Sequence, residues 1–198
     1  KGNTLRTMSV MKNILAEAEI EEEIPQDFAI YDLVQFLNGV TLHDNPSIEF
    51  SNESNLTIRE GKDRKTKYFF ADPSVIVSPP EKSIALPTED VCFNLDSTQL
   101  QSLLKASAVY QLPDLVAVGE AGVVKLVVRD KKNDTSNEYS INVGLTDQEF
   151  NFNFKVENIK ILPGSYEVVI SQKLLARFVN TSFNLTYFIA LEPDSTFG

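Results

Sequence analysis

Few side chains in this sequence are of the types that perform catalysis. With one histidine, His43, and one cysteine, Cys92, neither a histidine-based proton relay nor a Cys/His zinc site has enough candidate groups. His43 lies in a TLHDNP turn, which predicts a solvated loop side chain. Cys92 lies in the apolar segment VCFNL, which predicts a buried, unreactive thiol. The acidic run Glu21, Glu22 and Glu23 predicts a solvated loop or helix face, because consecutive side chains cannot aim at one point.

Sequence motifs for enzyme chemistry are missing as well. The chain contains no dinucleotide-binding GxGxxG, no P-loop, no nucleophile elbow GxSxG and no zinc motif HExxH. We therefore predict that the protein is not an enzyme and that it uses no metal and no cofactor.

The charge balance limits the classes of partner. The 198 residues include 18 Lys and Arg and 28 Asp and Glu, which gives a formal net charge of -10. Such a chain repels nucleic acid and anionic lipid at long range, which disfavours a simple basic DNA-binding domain. The single cysteine cannot form an intrachain disulfide, which favours a reducing compartment. No apolar stretch approaches the roughly 20 residues that cross a bilayer.

Short runs rich in Val, Ile, Phe, Tyr and Thr dominate the pattern and predict a mostly β protein. The predicted strands span residues 5–10, 14–20, 47–51, 56–60, 65–71, 91–95, 115–118, 123–129, 138–143, 150–154, 166–171, 176–179 and 185–191.

Three stretches predict helices that would position side chains against these strands. Residues 31–38 carry Leu33, Phe36 and Leu37 at helical spacing, and residues 97–110 carry an apolar stripe behind an Asp or Ser cap. Residues 156–162 predict a third, short helix that ends at a Pro-Gly pair.

The order of these elements repeats along the chain, with a strand and a helix followed by about three further strands. This repeat predicts an α+β architecture of antiparallel sheets with a few helices on one face and two similar domains. The first domain is predicted at residues 1–74, a connector at 75–90 and the second domain at 91–198. Since residues 1–20 have strands without a preceding helix, we expect the natural protein to begin about 20 residues earlier, by the length of one repeat unit.

The connector is rich in proline but more apolar than a solvated linker. Four of the nine prolines lie in residues 72–90, together with Val75, Ile76, Val77, Ile84 and Leu86. This composition predicts a stiff, extended segment. Two interpretations remain open: the connector packs only on its own domains, or it offers an edge to a partner.

A set of short segments, in this order and spacing from Gly2 to the end, resembles the DNA polymerase sliding clamps, or processivity factors, of T-even-type bacteriophages. The segments are AEA at 16–18, AIYDL at 29–33 with Phe36 and Leu37, ADPS at 71–74, Leu100 with Leu103 and Leu104, FNF at 150–152, PGSY at 163–166, ALE at 190–192 and DST at 194–196. The chain departs from that family in lacking the N-terminal helix, in the proline and acidic residues near 21–27, and in a shorter end after Thr196.

The resemblance implies the DNA-clamp fold and a homotrimeric ring that encircles duplex DNA without reading its sequence. It also implies that the ring tethers the replicative DNA polymerase, with the clamp loader and late-transcription factors as further partners, in the cytoplasm of the infected bacterial host. The alternative is a β-rich structural or adhesive phage module that binds a protein and never DNA.

Lysines beside the predicted helices are the candidates for DNA contact in such a ring. Lys105 lies off the apolar stripe of the second helix, and Lys155 and Lys160 flank the third, about 140° apart on an ideal helix. The opposing interpretation for each of them is a solubilising surface charge.

Two further surfaces follow from the resemblance. The predicted partner-peptide groove consists of Val10, Ile14, Val75, Ile76, Val77, Phe188, Ala190 and Pro193. Alternation along residues 185–191 predicts that Phe188 and Ala190 lie on the face opposite the core. Residues 65–71 and 123–129 are the predicted edge strands for ring closure, unless both are interior strands.

Overall fold

The computed structural model describes residues 1–80 and 82–198, so position 81 of the connector lies outside the described residues. The described chain divides into two compact units. The first unit contains residues 1–4 and 20–78, and the second contains residues 5–19 and 79–198. Residues 5–19 group with the second unit because they pair with a strand near the C-terminus.

Strands β1 (Gly2–Met8) and β2 (Ile14–Ile24) cross the boundary between these residue ranges. The acidic run at 21–23, predicted as a loop or helix face, is the exposed end of β2. The first unit continues with helix α1 (Leu33–Val40) and strands β3 (Ser47–Glu49), β4 (Asn55–Glu60) and β5 (Arg64–Phe69). These strands form an antiparallel sheet in the order β3-β4-β5.

Helix α1 begins two residues later than predicted, where the Asp32 carboxylate accepts a hydrogen bond from the backbone N–H of Gln35 at 2.8 Å. Of its predicted apolar stripe only Phe36 is buried, whereas Leu33 and Leu37 are more than half exposed. Phe36 packs with Leu56 and Ile58 to form the core of the first unit.

His43 is buried in the first unit, which corrects the prediction of a solvated loop histidine. Its Nε2 lies 3.0 Å from the Thr66 hydroxyl, and its Nδ1 lies 3.8 Å from the Glu60 carboxylate. The turn after α1 folds the ring against the sheet, so His43 acts as a core residue of this unit.

The second unit contains the remaining elements. They are strand β6 (Val91–Leu95), helix α2 (Ser97–Tyr110), and strands β7 (Asp114–Glu120), β8 (Val123–Arg129), β9 (Tyr139–Leu145), β10 (Phe150–Lys155), β11 (Tyr166–Ser171), β12 (Leu175–Asn180), β13 (Leu185–Ala190) and β14 (Thr196–Phe197). One sheet has the order β1-β2-β13-β12-β11-β6, and the other has the order β14-β10-β7-β8-β9.

The five-stranded sheet overturns one predicted edge. Strand β8 pairs with β7 on one side and with β9 on the other, so residues 123–129 form an interior strand. The edge on this side of the sheet is β9. Strand β5, the other predicted edge, does lie at the edge of its sheet.

Helix α2 occupies the predicted residues 97–110. Asp96 and Gln99 form a capping box at its start, and Gln111 ends it with a left-handed φ of 55°. Leu100 and Leu103 are buried in the large core cluster of the second unit, together with residues from both sheets.

The predicted helix at residues 156–162 is a single 3₁₀ turn, Val156–Asn158. Ile159 and Ile161 follow it as buried side chains, whereas Lys160 and Leu162 between and after them are exposed. This alternation anchors an extended segment, and a helix would not place both isoleucines in the core.

Cys92 is exposed, contrary to the predicted buried thiol, because Val91, Phe93 and Leu95 take the core side of β6. Partial burial, followed by the charge of Glu167, raises the pKa of Cys92 above its ordinary value. Within residues 1–80 and 82–198, no helix is long and apolar enough to span a membrane.

Candidate functional site

The outward face of α2 carries one charge. Lys105 is the only charged residue between Ser97 and Tyr110, and the sequence of α1 has none. Lys105 is exposed, whereas Leu100 and Leu103 on the same helix are buried. In a chain with a net charge of -10, a helix face free of acidic groups can approach a polyanion without repulsion.

Lys155 is the last residue of β10, and its ammonium group is paired with a buried carboxylate. Its Nζ lies 2.5 Å from Oδ1 of Asp114, whose side chain is 1% exposed. The strand register puts the two residues directly opposite each other. The hydrogen bond to Asp114 raises the pKa of Lys155 above its ordinary value. Much of the Lys155 charge is therefore neutralised within the sheet.

Lys160 is exposed in the loop after the 3₁₀ turn. The three predicted DNA-facing lysines thus lie on a helix, at a strand end and in a loop. The helical angle between Lys155 and Lys160 does not apply, because the segment between them is not a helix.

The C-terminal segment, residues 192–197, is attached to β10 by backbone pairing and to the loop after β8 by an ion pair. Lys131 Nζ lies 2.7 Å from the Asp194 carboxylate, and Asn153 Nδ2 donates to the same side chain at 3.2 Å. The ring of Phe197 stacks on the aromatic rings of β10. The sequence does not indicate this attachment, since Lys131 lies in a hairpin loop distant in sequence from the tail.

Acidification is expected to weaken this attachment. The hydrogen bond from Lys131 lowers the pKa of Asp194 below 3.8 despite partial burial. A lowered folded-state pKa contributes stability above the unfolded value, and that stability is lost as the pH falls through the folded value. Because the Asp194 side chain is 56% exposed, Asp194→Asn should cost less than about 1 kcal/mol at pH 7.

Urea unfolding as a function of pH measures this effect. The difference between the wild type and Asp194→Asn should shrink below pH 3.8, the ordinary value. Asp134→Asn, an exposed loop change, is the matched control. A difference that persists unchanged at pH 2 would contradict the assignment.

The structure separates the predicted groove residues of the second unit. Ile14 lies directly opposite Ile189 and packs on the core cluster, so it does not share a face with Phe188. Phe188 is 8% exposed yet lies outside that cluster, on the other face of the sheet. Ala190 is half-buried, whereas Val10 and Pro193 are exposed.

The first unit holds the other three predicted groove residues. Val75 ends a 3₁₀ turn that Asp72 caps by accepting a hydrogen bond from the backbone N–H of Ser74 at 2.9 Å. Val75 and Val77 are 58% and 41% exposed, and Ile76 between them is half-buried. These valines are therefore available to a partner.

Two edge strands differ in charge. Strand β5 carries Arg64, Lys65 and Lys67 and no acidic residue. Strand β9 has no charge, but residues 134–149 around it contain four acidic residues and no basic one. Exposed apolar side chains also mark the two edges, with Phe69 63% and Leu145 84% exposed. Beside β5, an open cavity of about 320 Å³ is lined by Lys67 and by residues at the start of α1.

No group of three or more His, Cys, Asp or Glu side chains in the described part of the chain is arranged to hold a metal ion.

Solved structures with this fold are DNA sliding clamps. The DnaN sliding clamp of Pseudomonas aeruginosa superimposes with a TM-score of 0.70 at 14% identity, and the alignment covers 97% of this chain and 55% of that one. PCNA from Thermococcus kodakaraensis gives a TM-score of 0.66 at 14% identity, covering 96% of this chain and 86% of that one. The fold is therefore the DNA-clamp fold, as predicted.

Sequence comparison identifies the family. A family model described as the C-terminal part of the gp45 sliding clamp matches residues 92–193, and one described as DNA polymerase processivity factor matches residues 1–78. The sliding clamps of Vibrio phage KVP40 and Enterobacteria phage T4 are 34% and 32% identical over 96% and 98% of this chain and 88% of theirs. The chain belongs to the gp45 sliding-clamp family of DNA polymerase processivity factors. Its similarity to phage clamps confirms the predicted resemblance and does not support the structural or adhesive alternative.

Proposed function

We propose that three copies of this chain close head to tail into a ring around duplex DNA and tether the replicative polymerase without catalysing a reaction. The observation that carries this proposal is the pair of oppositely charged open edges, β5 and the region of β9. Pairing unlike edges is a heterologous contact, which closes into a ring when the rotation allows it. The site of action is the cytoplasm of the infected bacterial host.

A strand pairing within the chain supports the choice of β5 and β9 as the edges that meet between subunits. Strand β13 pairs antiparallel with β2 inside the chain. In the repeated order, β5 is the last strand of the run β3-β4-β5, and β13 is the last strand of the run β11-β12-β13, so these two strands correspond. Strand β9 follows β8 as β2 follows β1, so β9 and β2 correspond as well. Pairing β5 of one copy with β9 of the next therefore repeats between subunits a contact that already exists within one.

The mass and the topology of the complex test this function. Light scattering should give three times 22.2 kDa. The protein, once loaded with its clamp loader, should stay on circular DNA and slide off the same DNA when it is linearised. A monomer at every concentration, or equal retention on both forms of DNA, would contradict the ring.

Contacts with DNA come from the helical face in this proposal. Lys105 is its strongest candidate, because it is exposed on a helix without acidic residues. Lys160 is exposed and contributes a second charge, whereas Lys155 contributes less because Asp114 already pairs with it. Such phosphate contacts position the duplex but do not read its sequence.

Lys105→Glu should shorten the residence of the loaded clamp on circular DNA by about 10-fold at 50 mM salt. Each of the three subunits would lose one phosphate contact and gain a repulsive charge, and the difference should vanish at high salt because such contacts are screened. Polymerase processivity and clamp residence are the measurements. Lys132→Glu, the same charge change in an exposed hairpin loop, is the control. Equal residence of both variants at low salt would contradict the DNA-facing role.

Partner peptides bind apolar residues that are exposed or half-buried in this proposal. The contact residues are Val75, Ile76 and Val77 in the first unit and Val10, Ala190 and Pro193 in the second. Ile14 and Phe188 are left out, because Ile14 packs on the core and Phe188 is only 8% exposed. The polymerase, the clamp loader and late-transcription factors would share these residues, which requires weak and exchangeable binding.

A further inference from the structure

The distal connector, residues 79–80 and 82–90, belongs to the second unit, and its contacts lie on the outer face of the six-stranded sheet, opposite the large core cluster. At its start, Arg6 on β1 donates hydrogen bonds to the backbone carbonyls of Pro80 and Lys82. Near its end, Arg177 on β12 forms an ion pair with Glu89 at 3.1 Å. The Asp90 N–H then donates to the Ile170 carbonyl of β11 at 3.0 Å. The connector therefore crosses the sheet from β1 towards β11.

An apolar strip lies on this outer face. Leu15, Phe188, Arg177 and Val169 are successive register partners across four strands. The three apolar members are 3%, 8% and 2% exposed, although none belongs to the large core cluster on the other face. Buried apolar groups on an outer face need a cover.

The distal connector has apolar side chains that can form such a cover. From β1 to β12 is a distance of about 14 Å, three strand spacings. Residues 82–89 reach up to about 25 Å when extended, so they can cross β2 and β13 obliquely. Ile84 and Leu86 are half-buried while Ser83, Ala85 and Pro87 are exposed, the alternation of an extended segment with one side against a surface.

The guanidinium group of Arg6 binds the start of the distal connector. Its Nη1 lies 2.7 Å from the Pro80 carbonyl, its Nη2 lies 3.2 Å from the Lys82 carbonyl, and its Nε lies 2.9 Å from the Glu17 carboxylate. The side chain is 17% exposed. A planar guanidinium can hold two carbonyls and a carboxylate at fixed angles, whereas a lysine ammonium is a single point of charge.

We propose that Arg6 is a positioning residue for partner binding. By fixing the path of the distal connector over the strip of Leu15 and Phe188, it preorganises the surface of the second unit that receives partner peptides. Without this anchor, the connector must be ordered during binding, and that ordering costs affinity. The inference rests on the proposed function, because it deepens the role of the proposed peptide-contact residues.

The experiment compares Arg6→Ala, Arg6→Lys and Glu17→Gln in the full chain. Hydrogen exchange without peptide reports the connector, and binding of a synthetic peptide from the polymerase C-terminus reports the site. Arg6→Ala and Arg6→Lys should both speed exchange of the amides in residues 82–89 at least about 10-fold. Both should weaken peptide binding about 10-fold with an unchanged thermal unfolding midpoint. Glu17→Gln, which removes the ion pair and keeps both carbonyl contacts, should change neither.

The outcomes distinguish this inference from the proposed function. Unchanged exchange in Arg6→Ala would show that Arg6 does not hold the connector. Faster exchange with unchanged affinity, in a protein whose peptide binding is lost in Pro193→Asp, would refute the positioning role and leave the proposed peptide site intact. If Pro193→Asp and Val77→Asp also bind normally, the peptide site lies elsewhere and the positioning role of Arg6 falls with it.

Discussion

Replacing Lys65 and Lys67 together with Glu is expected to dissociate the ring into monomers. Both side chains are exposed on the edge strand β5. Antiparallel pairing would set the basic start of β5 beside the acidic residues that follow β9 in the next subunit. Reversal therefore turns attraction into like-charge repulsion, which costs several kcal/mol and weakens each contact by at least about 100-fold. Light scattering should then show 22.2 kDa in place of three times that mass.

A charge swap tests whether these particular edges meet. Asp147→Lys with Glu149→Lys, added to the double Glu variant, should restore the trimer, since both acidic residues are exposed just after β9. Lys12→Glu with Lys173→Glu changes the net charge equally at exposed positions elsewhere and should leave the trimer intact. A trimer that survives the Lys65 and Lys67 reversal would refute β5 as the closing edge.

The edge strands also show what the sequence can and cannot reveal. In β8, Val124 and Leu126 face the main core, but Val127 on the opposite side is also buried. An apolar run on both sides is typical of an interior strand. The length and charge of residues 123–129 favour an edge strand in the sequence, but the apolar pattern on both sides is the better guide.

Local patterns predicted helix α2 fully because its cap, stripe and end all agree. For the predicted helix at 156–162, the cap, the apolar stripe and the end do not agree in this way. Ile159 and Ile161 alternate with the exposed Lys160 and Leu162, and Pro163 follows closely. The two-residue alternation of a β-strand also explains the exposure of Cys92, which lies between the buried Val91 and Phe93 in β6. In both segments the alternation is present in the sequence.

Contacts between distant parts of the chain could not be predicted. Burial of His43 depends on Thr66 and Glu60 in another part of the first unit. The pairing of Lys155 with Asp114 depends on the register of β10 and β7. Neither partner lies at a spacing that marks it in the sequence, so the candidate DNA-facing lysines looked equivalent until the register was known.

Loss of peptide binding in Val77→Asp is the second large effect that we expect. Val77 is 41% exposed in the free protein, so the carboxylate should cost little stability. When a peptide covers it, burial of Val77 contributes roughly 1.5–3 kcal/mol, and an unpaired carboxylate would add a desolvation cost. The dissociation constant of the polymerase C-terminal peptide should therefore rise by about 100-fold or more.

Pro193→Asp should give a similar loss from the second unit, because Pro193 is exposed within the attached C-terminal segment. The matched controls are Leu42→Asp and Phe183→Asp, which replace residues 72% and 65% exposed outside the proposed contact set. Calorimetric titration measures binding, while light scattering and thermal unfolding check the trimer and the fold. If the Val77 and Pro193 variants bind the peptide like their controls, these residues are not the peptide site. If only one of the two loses binding, the peptide contacts a single unit, since each substitution changes a different one.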